Sequence, residues 1–321
     1  RLSLVGSEMC IRDRYFSGAM KTILITGATG LVGQEIVKQC LANNIAVNYL
    51  STSKSKLEVK HNYKGFYWNP SKNEIDTACF KDVDTIINLA GASISKRWTD
   101  SYKQQLIDSR VQSLQLLFNT IKNEKIAINH LVSASAIGYY PDSKTNYYEE
   151  DFISTEGGFL QEVVALWEKE ALSFNNLNIN VSLIRIGIVL SKDGGALREL
   201  VKPIKGLVGS PLGSGKQWQS WIHIEDLVAL FLFVIKEKYS GVFNAVAPNA
   251  VKQKELVKTI AKVLKRPILL PRVPAFALKQ ILGEMSAIVL ESQRVSSKKI
   301  ESLGFSFKYH HLKPALEDLL N

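Results

Sequence analysis

Gly27, Gly30 and Gly33, in the run Gly27-Ala28-Thr29-Gly30-Leu31-Val32-Gly33, are spaced so that each can serve a bound pyrophosphate in a different way. The run follows a short β-rich segment, Lys21–Thr26, and opens an amphipathic segment, Leu31–Leu41, that stops at Asn43-Asn44. Gly27 permits the tight turn, Gly30 lets the backbone approach a phosphate, and Gly33 lets the helix lie close on the sheet. The free amides and positive dipole end of that helix face the anion. A plain strand–helix turn would use the same glycines. A second apolar run at Ile45–Leu50 completes a βαβ unit within about 30 residues and favours dinucleotide binding by Gly27, Thr29, Gly30, Leu31, Val32 and Gly33.

The far end of such a site separates NAD from NADP. An NAD site places an acid after the second strand to hold the ribose hydroxyl, yet no Asp or Glu stands between Glu35 and Glu58. The strand runs instead into Ser51-Thr52-Ser53-Lys54-Ser55-Lys56, hydroxyls and ammonium groups suited to a 2′-phosphate. NADP is therefore expected over NAD, with an ordinary polar loop as the alternative.

The elements that must carry these residues follow from apolar periodicity. Strands are predicted at Thr85–Leu89, Asn129–Ser135 and Val181–Ile186, alternating with helices near Asp100–Asn123 and Phe159–Asn175. Alternation of this kind predicts an α/β fold, a Rossmann doubly wound parallel sheet. After Leu190 glycine and proline become frequent between Gly194 and Gly215, followed by helices near Glu225–Lys236 and Lys252–Lys265 around a strand at Val242–Val246. The expected domains are a dinucleotide-binding domain over 20–190, to which later segments return, and a smaller substrate lobe over 191–321. Residues 1–19 lack the apolar core of a signal peptide and do not lead into the pattern, so Met20 reads as the start and the leader as non-native or disordered.

Composition narrows the partners. Of 321 residues 46% are hydrophobic, but the longest apolar run, Leu227–Ile235, is far short of the roughly 20 residues that cross a bilayer. Cys10, Cys40 and Cys79 are odd in number and lack metal-like spacing, which predicts neither a disulfide framework nor a metal site and fits a reducing cytoplasm. The net charge of +10 is uneven: residues 251–321 hold 13 Lys and Arg against 6 Asp and Glu. A solvated helix surface is the plain reading of that excess, since no histone-like run or RNA motif accompanies it.

The motif set is longer than the glycine turn. Ile87–Ile94 reads INLAGASI, Lys96–Asp100 KRWTD, Asp108–Arg110 DSR, Ser133–Tyr140 SASAIGYY, Leu183–Leu197 LRIGIVLSKDGGAL, and Gly213–Leu227 GSGKQWQSWIHIEDL. In this order they resemble the epimerase family of atypical extended short-chain dehydrogenases, from about Met20 to a small C-terminal domain at about 270–320. The resemblance implies that Leu89, Ala90 and Gly91 pack against the adenine and ribose side of the cofactor and that Ile188 and Val189 lie by the nicotinamide. It also implies that Arg110 reaches a cofactor phosphate, with Gln105 on the same helix. The family's Arg after the second strand is here Thr52, with Lys54 as the compensating cation.

Short-chain dehydrogenases use Tyr-x-x-x-Lys on a helix, and here Phe159 and Val163 occupy those positions. A phenol ionises near pH 10, so another tyrosine acting as base near neutrality would need roughly 4 kcal/mol from its neighbours. Ser135 matches the serine of the extended pattern and Tyr139 the tyrosine after it. Ser135 reads either as a donor to substrate oxygen or as a strand-end hydroxyl satisfying backbone, and Tyr139 as pocket wall or proton donor. Lys96, Arg97 and Trp98 are candidates to meet an anionic or cyclic substrate, Thr99 or Asp100 being the cap of the next helix in the alternative. Trp218 floors a pocket or fills core; His223 ties loop to helix.

The expected function is an NADP(H)-binding oxidoreductase or epimerase-like enzyme for a small polar carbonyl or hydroxyl compound, a nucleotide-linked sugar among the candidates. The expected chain is a cytoplasmic monomer or homodimer without nucleic-acid or membrane partners. The alternative is a non-catalytic NADPH-binding sensor or interaction module, which the Phe159 and Val163 replacements favour.

Overall fold

The computed structural model describes residues 22–154 and 157–321. The leader 1–19, Cys10 and the expected start at Met20 lie outside the described residues. Seven parallel strands form the central sheet: β1 (Thr22–Thr26), β2 (Ala46–Ser51), β3 (Tyr63–Asn69), β4 (Thr85–Asn88), β5 (His130–Ala136), β6 (Asn180–Ile186) and β7 (Gly241–Ala245). Their order is β7-β6-β5-β4-β1-β2-β3, a doubly wound Rossmann sheet whose strand order reverses between β1 and β4. Ligands of such sheets bind beyond the carboxyl ends of the strands at that reversal. Every residue of β1 is buried, as a strand covered on both faces requires.

Helices cover both faces: α1 (Leu31–Ala42), α2 (Asp100–Asn123), α3 (Phe159–Leu172), α4 (Gly195–Lys205), α5 (Ile224–Lys236) and α6 (Gln253–Val263). Thr99 caps α2 by accepting from the Tyr102 amide. His223 caps α5, its Nδ1 accepting from the Glu225 amide at 3.1 Å, and burial holds its imidazole below the ordinary histidine range. Asp226, one residue further into α5, accepts from the Lys308 and Tyr309 amides and so fastens the C-terminal segment to the sheet domain.

Two elements differ from the sequence reading. No strand was expected at Tyr63–Asn69, whose lysine and glycine break the apolar pattern. It forms because β2 pairs with it, because Tyr63 stacks on Tyr49 at 4.5 Å, and because Gly65 leaves room for the Tyr49 ring. The glycine- and proline-rich stretch after Gly194 contains α4, in which Leu197, Val201 and Ile204 are buried; that amphipathic face outweighs Pro203 near its end. Strand β7 returns the chain to the sheet edge beside β6 after residue 190.

Residues 291–297 are laced between two neighbours. Ser292 donates its amide to Asp142 and its hydroxyl to the Ser143 carbonyl, and its Oγ accepts from the Trp218 amide. Ser220 Oγ donates to the Gln293 carbonyl and accepts from the Val295 amide. A C-terminal segment is thereby held over the sheet's carboxyl end, a placement with consequences for the site.

Candidate functional site

The glycine turn has the geometry its residue types require. Gly27 has φ +70°, and a Cβ there would meet the Leu89 carbonyl oxygen at 2.8 Å. A Cβ on Gly33 would stand 2.3 Å from the Gly27 oxygen, so α1 approaches the turn as closely as backbone allows. Gly30 is the N-cap of α1 and no side chain caps that end, so its first amides are open to an anion. Thr26 completes the framework: its hydroxyl donates to Asn88 at 2.8 Å and accepts from the Leu89 and Ala90 amides.

Beside this turn runs a groove of about 660 Å³. Gly27 and Thr29 line its middle, Ser51, Thr52 and Ser53 one end, and Ala90, Gly91 and Gln105 the opposite wall. Gly30, Leu31, Val32, Gly33 and Leu89 are not among the residues lining the groove; Gly30 is exposed at the start of α1, and Gly33 and Leu89 shape the turn. The structure changes the cation expected at the Ser51 end. Lys54 does not line the groove and extends over the Tyr67 ring at 4.9 Å, whereas Lys56 does line it. The 3-10 turn at Lys54–Lys56 explains the exchange, because the Tyr49 hydroxyl anchors the Lys56 carbonyl at 2.7 Å and swings Lys56 inward. Asn69, Pro70 and Ser71 also line this end; they belong to the strand end that the sequence pattern did not reveal.

Arg110 lines a second cavity, next to Gly91 of the groove wall. It is buried on α2, donates to the Leu106 carbonyl at 2.9 Å and the Ala92 carbonyl at 3.3 Å, and stacks on Trp167 at 4.9 Å. Gly91 leaves room for this guanidinium: a Cβ there would stand 3.0 Å from Arg110 Cζ, a contact that Arg110 would have to relieve by a few tenths of an ångström. Burial pulls Arg110 down to about 10, which leaves it cationic at neutral pH.

The second cavity is a chamber of about 290 Å³. Ile188 and Val189 form one side, Val163, Val164 and Trp167 of α3 another, and Trp218, Gln219 and Ser220 a third. Ala287, Ile288, Glu291 and Gln293 of the C-terminal segment close it. Glu291 and Gln293 were not singled out from sequence; their Glu-Ser-Gln-Arg context carries no motif, and only the lacing of 291–297 brings them here. Trp98 lies in an adjoining cavity of about 540 Å³, edge-on to Phe159, with its indole donating to the Ile94 carbonyl. Lys96 and Arg97 are exposed and line none of these cavities.

Ser135 and Tyr139 are brought together, but behind the chamber wall and not on it. Ser135 is 2% exposed and donates to Glu168 Oε1 at 2.5 Å. Glu168 holds Arg185 through two contacts of 2.8 Å, and Arg185 lies over the Tyr139 ring at 3.6 Å. Arg185 also donates to the Tyr140 hydroxyl, which donates in turn to Asn244; burial pushes that phenol up to about 12. This closed network satisfies its own members and leaves Ser135 no free donor for a substrate. Neither sequence reading of Ser135 describes this bond, which goes to the side-chain carboxylate of another element and not to backbone or to open chamber.

The family model for the NAD dependent epimerase/dehydratase family matches residues 23–245, and that for a domain of unknown function, DUF1731, residues 273–319. The chain is 41% identical over 303 residues to the epimerase family protein SAR0825 of Staphylococcus aureus, covering 94% of this chain and 100% of that protein. It is 40% identical over 304 residues to SH2119 of Staphylococcus haemolyticus, with the same coverage. Among solved structures, human epimerase family protein SDR39U1 with NADPH superposes with TM-score 0.80 at 24% identity over 93% of this chain and 98% of that one. A nucleoside-diphosphate sugar epimerase from Corynebacterium glutamicum gives 0.75 at 27% identity, over 95% of this chain and 59% of that one.

Proposed function

The chain belongs to the NAD dependent epimerase/dehydratase family, and from that membership we propose that it is an NADP(H)-dependent oxidoreductase for a small carbonyl or hydroxyl compound. The observation that carries the proposal is the adjacency of groove and chamber, since Arg110 of the chamber bonds the carbonyl of Ala92 in the groove wall. A dinucleotide laid along Ser51–Ser53, across Gly27 and Thr29 and past Gly91 ends at Ile188 and Val189.

The cradle fits such a group. The uncapped N-terminus of α1 and the bare Gly27 and Gly33 positions suit a pyrophosphate. Lys56 with the Ser51, Thr52 and Ser53 hydroxyls would hold a 2′-phosphate, and Arg110 supplies a fixed positive charge at the nicotinamide end. The bound cofactor supplies or accepts hydride at the chamber. The chain's own part is to orient it, with Ile188 and Val189 against one face, and to keep water out through the apolar side chains of α3. Ser135 acts on this reading as a positioning residue, holding Glu168 and Arg185 so that β5, β6 and α3 keep the chamber wall in place.

A small substrate is favoured over a nucleotide-linked sugar. Arg110 and Lys279 are the cations lining the chamber and its outer cavity, Arg110 being bonded to backbone carbonyls, and they face Asp142, Glu284 and Glu291, so this lining offers a diphosphate no free cluster of cations. Titration with NADPH, NADP, NADH and NAD, following tryptophan quenching, tests the cofactor reading. Tight NADPH binding with weak NADH binding is the expected result, and no binding by any of the four would refute it. A screen of small carbonyl compounds for NADPH oxidation then separates the enzyme from an NADPH-binding sensor, the second reading that Phe159 and Val163 keep open.

A further inference from the structure

With Phe159 and Val163 in place of Tyr and Lys, and with Ser135 and Tyr139 behind the wall, hydride transfer in the chamber lacks an evident proton donor. Arg110 and Glu291 are the ionisable side chains on the chamber wall among the described residues, and Arg110 is committed to backbone carbonyls and the Trp167 ring. Gln219 donates to the Trp218 carbonyl and Gln293 to Glu291 and the Tyr140 carbonyl. Glu291 also lines the outer cavity, so its carboxyl stands at the neck between chamber and solvent.

Resting on the cofactor reading above, we propose that Glu291 is the catalytic proton carrier of this chamber. The carboxyl gives its proton to a substrate carbonyl oxygen while the carbonyl carbon takes hydride from the reduced dinucleotide. A C–H and an O–H bond form, the carbonyl π bond is lost, the substrate is reduced and the dinucleotide oxidised. The carboxylate left behind recovers a proton through the outer cavity, and the reverse reaction runs the same transfers backwards.

The surroundings suit the task. Burial raises the Glu291 carboxyl above the ordinary range, against the Gln293 hydrogen bond at 3.1 Å, and the Asp142 carboxylate raises it further. Lys279 and Glu284 face it from the 275–286 segment, Glu284 being ion-paired to Lys103, and Arg110 faces it across the chamber. A carboxyl that holds its proton more tightly than an ordinary glutamate is suited to act as a general acid.

The experiment is a pH titration of the full chain saturated with NADPH, read by reduced-nicotinamide fluorescence, with reduction of 9,10-phenanthrenequinone as the carbonyl probe. The expected fluorescence transition lies above the ordinary glutamate value of about 4.3. It disappears in Glu291→Gln, moves to lower pH in Asp142→Asn, and stays in Glu284→Gln. Quinone reduction should fall about 100-fold or more in Glu291→Gln, in the range that general acids supply, with NADPH affinity unchanged. A transition that survives Glu291→Gln, or reduction that survives it, overturns the proposal; so does the lack of both transition and reduction in wild-type protein that binds NADPH. Failure to bind NADPH at all is a separate result that removes the cofactor reading first.

Discussion

Groove and chamber are neighbours across the Arg110–Ala92 contact, yet they are built differently. The groove is made at the ends of adjacent strands β1, β2 and β4, from short segments whose backbone does much of the work: a left-handed glycine, an uncapped helix end and self-bonded hydroxyls. The chamber is made from eight separate segments between Ile94 and Gln293, and its last wall is a C-terminal strip held by serine hydroxyls. A site made of backbone is fixed by local geometry, whereas a site made of converging side chains stands or falls with the tertiary contacts behind it.

The largest test strikes those contacts. Arg185→Met leaves the buried Glu168 carboxylate without its partner, which should cost about 3–5 kcal/mol of stability. Denaturant unfolding measures it, and a loss below about 1 kcal/mol would show that the Ser135–Glu168–Arg185 network does not hold the chamber wall. The folded fraction should still bind NADPH, since none of the groove residues belongs to that network.

Protonation gives the second. Burial pulls His130, at the start of β5 and bonded to Ser182, down to about 4. The unfolded chain therefore takes up a proton below about pH 6.5 that the folded chain refuses, so stability is full above that pH and falls toward pH 4, by about 3 kcal/mol in all. Unfolding free energies of wild type and His130→Gln at pH 7.5 and 5 check the slope, which the substitution should flatten. This loss belongs to the sheet's far end, so it separates acid effects on the scaffold from those at Glu291.

Gly33→Ala forces a Cβ against the Gly27 carbonyl and should cost about 1–3 kcal/mol while weakening NADPH binding out of proportion. Unchanged affinity would mean that the turn is mere scaffold. The smallest effect is expected for Lys56→Ala, a roughly tenfold loss of NADPH affinity, about 1.4 kcal/mol, with NADH unaffected. Lys54→Ala should change neither, and a reversal of these two results would restore the cation chosen from sequence.

Much of this was legible before the fold was known, and the exceptions have physical causes. Gly27, Gly30 and Gly33 declare themselves because a strand–turn–helix is local and its steric demands fall on residues a few positions apart. The periodic apolar faces declare α1, α2, α3, α5, α6 and six of the seven sheet strands for the same reason, while α4 was hidden among glycines and a proline. Strand β3 escaped because its stability comes from β2 and the Tyr49 ring; of the two ammonium groups the sequence offered after β2, the groove takes Lys56 and not the favoured Lys54 because of a 3-10 turn anchored by Tyr49. Ser135 matched a pattern by type and position, but a hydroxyl bonds whatever stands opposite, and here that is Glu168 from another element. Glu291 lies more than 250 residues beyond the glycine turn, and only the Ser292 and Ser220 hydrogen bonds bring it to the chamber. By itself the sequence determined the α/β framework and the phosphate cradle, which arise from backbone propensity and short-range sterics; tertiary structure decided which charged side chains meet in the chamber, because that depends on long-range packing.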